Sequence, residues 1–207
     1  MYVALEGIDT CGKSTQIALL QAYFPEAIFT KEPGGSALGA TLRDIILQSH
    51  NHASSHISKE AEFFLFLADR AEHIDKIIKP NLHKLIIADR SLISGIAYAN
   101  DLESRAINLA CTQGIVPDLC FVFVIDEPTL QTRLGTKTKD SIEMRGIDYL
   151  LAIQDRIIQV AHSTAKHTIE IDATKDIAQI TQELCAHIRQ ALESSLDSSS
   201  TPESSAR

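Results

Sequence analysis

Short apolar runs alternate along this chain with stretches in which apolar residues recur every three or four positions. The first pattern predicts strands and the second helices. Tyr2-Val3-Ala4-Leu5-Glu6 is a β-prone run, followed by Ile17, Leu20, Gln21 and Phe24 at roughly helical spacing. Ala27 to Thr30 reads as a second strand, running into the dense turn signal Lys31-Glu32-Pro33-Gly34-Gly35-Ser36. Leu38, Leu42, Ile45 and Ile46 form a helical stripe ending near Ser49. From Lys59 to Lys79 Phe63, Phe64, Phe66, Leu67, Ile74 and Ile78 share one broad helical face, which Pro80 disturbs or ends. Leu85-Ile86-Ile87-Ala88 and Leu119 to Ile125 are continuous apolar runs, as parallel strands buried on both faces require. Helical pattern reaches Thr112 between them. After a polar interruption from Gly135 to Ser141, Met144 to Ala165 reads as helix, His167 to Ile171 as a last strand and Asp176 to Leu192 as a last helix. The alternation predicts an α/β fold, a mainly parallel sheet with helices on both faces. The end, Ser194 to Arg207, lacks apolar content and is predicted disordered. There are no internal repeats.

Between the first strand and the first helix stands Gly7-Ile8-Asp9-Thr10-Cys11-Gly12-Lys13-Ser14-Thr15. It matches G-x-x-x-x-G-K-[ST], the P-loop, in the strand–loop–helix context the motif needs. Glycine at positions 7 and 12 permits positive φ, so that successive backbone N–H groups converge on phosphate oxygens. Lys13 supplies charge between β- and γ-phosphates, Ser14 is placed to ligate Mg²⁺, and the helix N-terminus favours the same anion. Cys11 occupies a variable loop position and reads as a spacer rather than a nucleophile. Asp89-Arg90 lies at the C-terminal end of a buried strand, where ligands bind in open α/β sheets; Asp89 is a further candidate for the metal shell.

With 207 residues, 44% hydrophobic and 22% charged, the chain suits one well-buried domain. Residues 1–193 are assigned to it and 194–207 to the Ser-rich tail. The net charge of −8 argues against binding nucleic acid polymers, which takes a basic face. No basic segment followed by an apolar core opens the chain, and no apolar run approaches a membrane span of about 20 residues, so a cytoplasmic protein without membrane contact is expected. Cys11, Cys111, Cys120 and Cys185 are widely separated and suggest neither a disulfide framework nor a zinc site. His50, His52 and His56, set among Asn and Ser, read as a solvated loop or cap rather than a metal site.

Three further stretches narrow the chemistry. Thr30 to Ser36, Phe66-Leu67-Ala68-Asp69-Arg70, and Asp89-Arg90-Ser91-Leu92-Ile93-Ser94-Gly95-Ile96-Ala97-Tyr98 fall where elements should point loops at the P-loop. Together with it they resemble bacterial thymidylate kinases, from Tyr2 to about Leu192. The resemblance implies a five-stranded parallel sheet of the three-layer P-loop type with a short lid, here about 135–146. It implies transfer of the γ-phosphoryl of ATP to dTMP, Mg²⁺, and a homodimer. Arg70 and Arg90 match phosphate-binding arginines; an ion pair with Asp69 or Glu72 is the other reading of Arg70. Phe66 would stack on thymine. Ser94, with Gly95 beside it, and Tyr98 would contact base and sugar, and Tyr98 would favour a deoxyribose. Asp9 would contact dTMP and the magnesium shell, Tyr149 would flank the nucleoside, and Pro33 would wall the pocket unless it is simply a turn proline.

The acceptor is already an anionic phosphate, so positioning and charge neutralisation carry catalysis and no strong general base is needed. One departure concerns the cations. The family places a catalytic arginine in the P-loop or the lid, but here those positions hold Thr10 and Ser141. Lys137 or Lys139 is the expected substitute, with Arg145 in reserve, unless both lysines are ordinary surface charges. Two other functions would use the same P-loop: a kinase for a different nucleoside monophosphate, and an ATP-hydrolysing switch protein.

Overall fold

The strand Tyr2–Glu6 (β1) is buried at every position, as a strand between two helical layers must be. The computed structural model describes residues 1–51, 57–99, 102–135 and 146–199. After β1 come α1 (Lys13–Tyr23), β2 (Ile28–Lys31), α2 (Ala37–Asn51), α3 (Lys59–His73), β3 (Ile86–Asp89), α4 (Leu92–Ala99), α5 (Leu102–Cys111), β4 (Leu119–Val124), α6 (Glu127–Gly135), α7 (Ile147–Thr164), β5 (His167–Asp172) and α8 (Ile177–Ser199). The five strands pair in the order β2-β3-β1-β4-β5, and every pairing is parallel.

Neighbouring residues of one strand feed opposite layers. Val3, Leu5, Ile87, Phe121 and Phe123 belong to the larger core cluster, whereas Tyr2, Ile86 and Ala88 pack with Ile74 and Ile78 in a smaller one. Burying each such branched or aromatic side chain contributes about 1.5–3 kcal/mol. Both faces of the sheet are thereby covered. From β1 the chain first builds outward to β2 and β3, then returns to place β4 and β5 on the other side. The strand order therefore reverses beside β1, and the crevice at its C-terminal end is where such a sheet binds ligands. In register, Leu5 lies beside Asp89 on one side and Phe121 on the other, and Lys31 lies beside Asp89.

Three expectations are revised. The pattern from Lys59 to Lys79 is not one regular helix. α3 starts under a Ser58 cap whose hydroxyl accepts from the Ala61 N–H at 3.1 Å and ends at His73; a π-turn over Ile74–Ile78 and a 3₁₀ turn over Lys79–Asn81, with Pro80 at its start, complete the segment. Proline has no N–H to offer the preceding turn, and the wider turn accommodates the loss. Second, α6 is a helix the periodicity hardly announced, since of its residues only Leu130 and Leu134 are buried. Third, α8 continues to Ser199 rather than giving way to the tail at residue 194. Ser194 and Ser195 donate their hydroxyls to the carbonyls of Gln190 and Ala191, four residues back, at 3.0 and 2.8 Å, as serines within a helix do. Lys137, Lys139, Ser141, Arg145, His52 and His56 lie outside the described residues, as does the side chain of His50. All four cysteines are free. Among the described residues no helix is long and apolar enough to cross a membrane.

Candidate active site

The P-loop leaves β1 at Gly7, whose φ of 146° lies in the region only glycine enters freely. A Cβ there would stand 2.8 Å from Cys11 Sγ and 3.0 Å from the Phe123 carbonyl oxygen. Cys11 is buried in the main core cluster, so its side chain packs beneath the loop. Gly12, at φ 105°, is the N-cap of α1; no side chain caps this helix and no acidic residue occupies its first turn. Its leading N–H groups have no side-chain cap, the arrangement in which a helix N-terminus suits an anion. Lys13 is buried, and its ammonium donates to the carbonyls of Gly7 and Ile8 at 2.8 and 2.9 Å. Thr10 adopts φ 68°, an uncommon conformation for a β-branched residue.

Arg90 follows β3 in a left-handed conformation, φ 73°, and turns back toward β1. Its Nη1 donates to the Gly7 carbonyl at 3.1 Å and to Ser94 Oγ at 3.0 Å, while Nη2 pairs with Asp9 Oδ1. Burial alone would lower the pKa of this guanidinium, but Asp9, Tyr98 and Glu6 together raise it, so the charge is retained. Below Arg90 lies Glu6, the last residue of β1. One of its oxygens accepts from the Ser91 N–H and hydroxyl, both at 2.7 Å, and the other from Ser94 Oγ. Burial pushes the Glu6 carboxyl upward against those hydrogen bonds and the Arg90 charge. The Ser94 hydroxyl, in a residue 7% exposed, joins Glu6 to Arg90.

Arg70 also sits among protein partners. Its Nε donates to Glu32 Oε2 at 2.9 Å, Nη1 to Asn108 Oδ1 and Nη2 to the Ser91 carbonyl. The ion pair is with Glu32, not with Asp69 or Glu72. Gly95 lets this guanidinium pass, for a Cβ there would stand 2.6 Å from Nη1. Phe66, four residues before Arg70 on the same helix, is half-buried, as is Tyr149 on α7. The ring of Tyr98 lies 5.9 Å below the Arg90 guanidinium, and its phenol is pushed up to about 12, chiefly by burial. Pro33 is half-buried and its carbonyl accepts from Arg43 Nη1 at 2.9 Å.

The residues present suit a nucleotide with Mg²⁺. Asp89 Oδ1 is buried without a hydrogen-bond partner among the described residues, and a hard divalent cation favours such an oxygen together with a serine hydroxyl. Ser14 supplies the latter, exposed on the first turn of α1. A cavity of about 270 Å³ opens beside Asp89, lined also by Ile17, Phe29, Thr30, Lys31 and Gly35.

The family model described as thymidylate kinase matches residues 5–184. The chain belongs to the thymidylate kinase family. A thymidylate kinase of Sulfurimonas denitrificans is 50% identical over 194 residues, covering 91% of this chain and 99% of that one. Thymidylate kinase of Helicobacter pylori is 44% identical over 194 residues, 91% of this chain and 98% of the other. Among solved structures, the crystal structure of thymidylate kinase from Ehrlichia chaffeensis superposes with a TM-score of 0.69 at 26% identity, covering 91% of this chain and 98% of that one. This thymidylate kinase family member is thus an enzyme of the nucleoside monophosphate kinase type with the P-loop fold.

Sequence reasoning missed several residues of this thymidylate kinase site. Arg133, near the end of α6, donates to the carbonyls of Thr10 and Ala173. Glu32 and Asn108 hold Arg70, and His73 in turn holds Glu32. Only Glu6 carried a local signal: a carboxylate closing an otherwise apolar buried strand has to find partners.

Proposed function

We propose that the residues described above divide the work of one reaction, transfer of the γ-phosphoryl group of ATP to dTMP, giving dTDP and ADP. ATP with Mg²⁺ is the phosphoryl donor. Lys13 and the uncapped N-terminus of α1 hold the donor phosphates. Ser14 and Asp89, with Asp9, would hold Mg²⁺, which would supply positive charge to offset that of the phosphates. Arg90, charged and fixed by Gly7, Ser94 and Asp9, receives the acceptor phosphate. Phe66, Tyr98, Tyr149 and Pro33 form the nucleoside side of the pocket. No side chain has to remove a proton from a weakly acidic hydroxyl, because the nucleophile is a phosphate oxygen. Lys137 or Lys139 adds lid charge in place of the missing arginine, with Arg145 in reserve; alanine at the lysine that does so should lower kcat without a matching rise in KM.

One observation carries this reading: the P-loop lysine, Arg90, Asp9 and Asp89 all meet at the C-terminal edge of the sheet, beside β1 where the strand order reverses. ADP release with a panel of monophosphates and a no-acceptor control tests it. dTMP-dependent release supports the reading. Preference for another monophosphate reassigns the acceptor, and equal release without acceptor overturns it in favour of a hydrolytic switch. Lys13→Met should lower kcat at least about 100-fold, the usual loss when a charge that stabilises the transition state is removed, with an unchanged circular dichroism spectrum.

We also propose that the enzyme is a homodimer working in the cytoplasm. Leu38 and Ile45 of α2 and Phe64 of α3 are 49%, 42% and 62% exposed on two helices that pack together, apolar side chains that a second copy would cover. Sedimentation of Phe64→Asp beside the parent enzyme decides it: a dimer in the parent and a monomer in the variant support this face. The free thiols support a reducing compartment.

A further inference from the structure

On α3, Phe66, Asp69, Arg70 and His73 recur at helical spacing and share one face. Three of them grip the loop that follows β2. Asp69 Oδ1 accepts from the Gly34 N–H at 2.9 Å, Arg70 Nε donates to Glu32 Oε2 at 2.9 Å, and His73 Nδ1 donates to Glu32 Oε1 at 2.8 Å. The other ring nitrogen of His73 shares a hydrogen bond of 2.7 Å with Thr30 Oγ1. His73 is 0% exposed, so both nitrogens are spoken for in the absence of water. The loop also packs onto the imidazole itself: a Cβ on Gly35 would stand 2.5 Å from His73 Cδ2 and 2.6 Å from both His73 Nε2 and Thr30 Oγ1.

This arrangement is rigid at its far end as well. The π-turn starts at Ile74, directly after His73, and Ile74 and Ile78 are anchored in the smaller core cluster. A buried hydrogen-bonded chain therefore runs Thr30–His73–Glu32–Arg70–Asn108. It connects the loop bearing Pro33, the helix face bearing Phe66 and the segment bearing Ser91. None of these groups is needed for holding the donor phosphates, which involve Lys13 and α1.

We propose that His73 is a positioning residue for the acceptor monophosphate. It acts through Thr30 and Glu32, fixing the loop 30–35 and the direction of Arg70 while touching no substrate. The inference rests on the acceptor reading given above. A residue important only for folding would affect both substrates alike, whereas this role touches one.

Two mild variants separate the halves of the latch. His73→Asn retains an amide N–H where Nδ1 meets Glu32 but no longer reaches Thr30; Thr30→Val removes only the hydroxyl at nearly constant shape. Each should raise KM for dTMP about tenfold, the effect of a lost buried hydrogen bond that orders a site, while KM for ATP stays within about twofold. The double variant should be no worse than the more impaired single one, as two members of one interaction behave in a mutant cycle. The proposal is overturned if Thr30→Val leaves KM for dTMP at the wild-type value, if both KM values rise together, or if the two effects add. Should His73→Asn not fold, Thr30→Val alone decides by the same KM comparison. A wild-type enzyme without dTMP-dependent ADP release overturns the acceptor reading and this inference together. Wild-type turnover combined with an unaffected Thr30→Val overturns this inference alone.

Discussion

Arg133 and Thr10 stand 123 positions apart in the chain, yet Arg133 Nη1 donates to the Thr10 carbonyl at 3.3 Å. Its Nη2 reaches the Ala173 carbonyl at 2.7 Å, so one guanidinium ties the P-loop to the segment after β5. A Cβ on Gly12 would lie 3.9 Å from the same Nη1. The charge is thus beside the loop proposed to hold the donor phosphates. Arg133→Ala should raise KM for ATP about tenfold, within the range for hydrogen bonds from charged groups, and leave KM for dTMP nearly unchanged. Steady-state kinetics with each substrate varied in turn checks this; a selective loss of dTMP affinity would be the wrong sign.

Phe66 lies half-buried on the face of α3 that carries Arg70. If the ring stacks on the base, Phe66→Ala should weaken dTMP binding by about 1–3 kcal/mol, the scale of aromatic–base contacts, with KM for ATP retained. Isothermal titration with dTMP measures the loss directly. A variant that unfolds would assign the ring to the core instead.

Tyr98 presents a buried hydroxyl with no well-formed hydrogen bond among the described residues. Tyr98→Phe should therefore cost less than about 0.5 kcal/mol, because no partner is left unsatisfied. Tyr98→Ala should cost roughly 3 kcal/mol for the lost ring, and it should relax discrimination against ribonucleotide acceptors. With the phenol held up to about 12, the pH profiles of wild type and Tyr98→Phe should coincide between about pH 7 and 10. Thermal unfolding and the two profiles test both parts.

Glu32 is buried with Arg70 and His73. Burial works to raise its pKa, but the Arg70 charge and the His73 hydrogen bond outweigh it and hold the carboxyl below the usual range. The unfolded chain therefore takes up this proton more readily than the native state. The associated stability is fully present above the ordinary glutamate value of about 4.3 and is lost as pH falls through the lower native value. Glu32→Gln should cost about 3–5 kcal/mol near neutrality, since it leaves the Arg70 charge buried without its carboxylate. The difference between variant and wild type should shrink on acidification through that window. Denaturant melts across pH measure it.

Much of the architecture could be read before any coordinates. Short continuous apolar runs and a period of 3.6 report locally how a segment is buried, and the glycines at 7 and 12 answer a local demand for positive φ. That is why the alternating strands and helices, the P-loop and the Asp89-Arg90 strand end were visible. The break in α3 after His73, the helix α6 and the extension of α8 to Ser199 were not. They depend on how a few residues pack rather than on a sustained pattern.

The chain's own residue order determined the kind of site: a phosphate cradle at the edge of a parallel sheet, because those signals are carried by contiguous residues. Only the tertiary structure decided which buried charges meet. Arg70 joins Glu32 and Asn108, each 38 residues away, His73 joins Glu32 across 41, and Arg133 joins Thr10 across 123. A buried charge must be paired in space, and spacing along the chain records nothing of which distant partner the fold will bring to it.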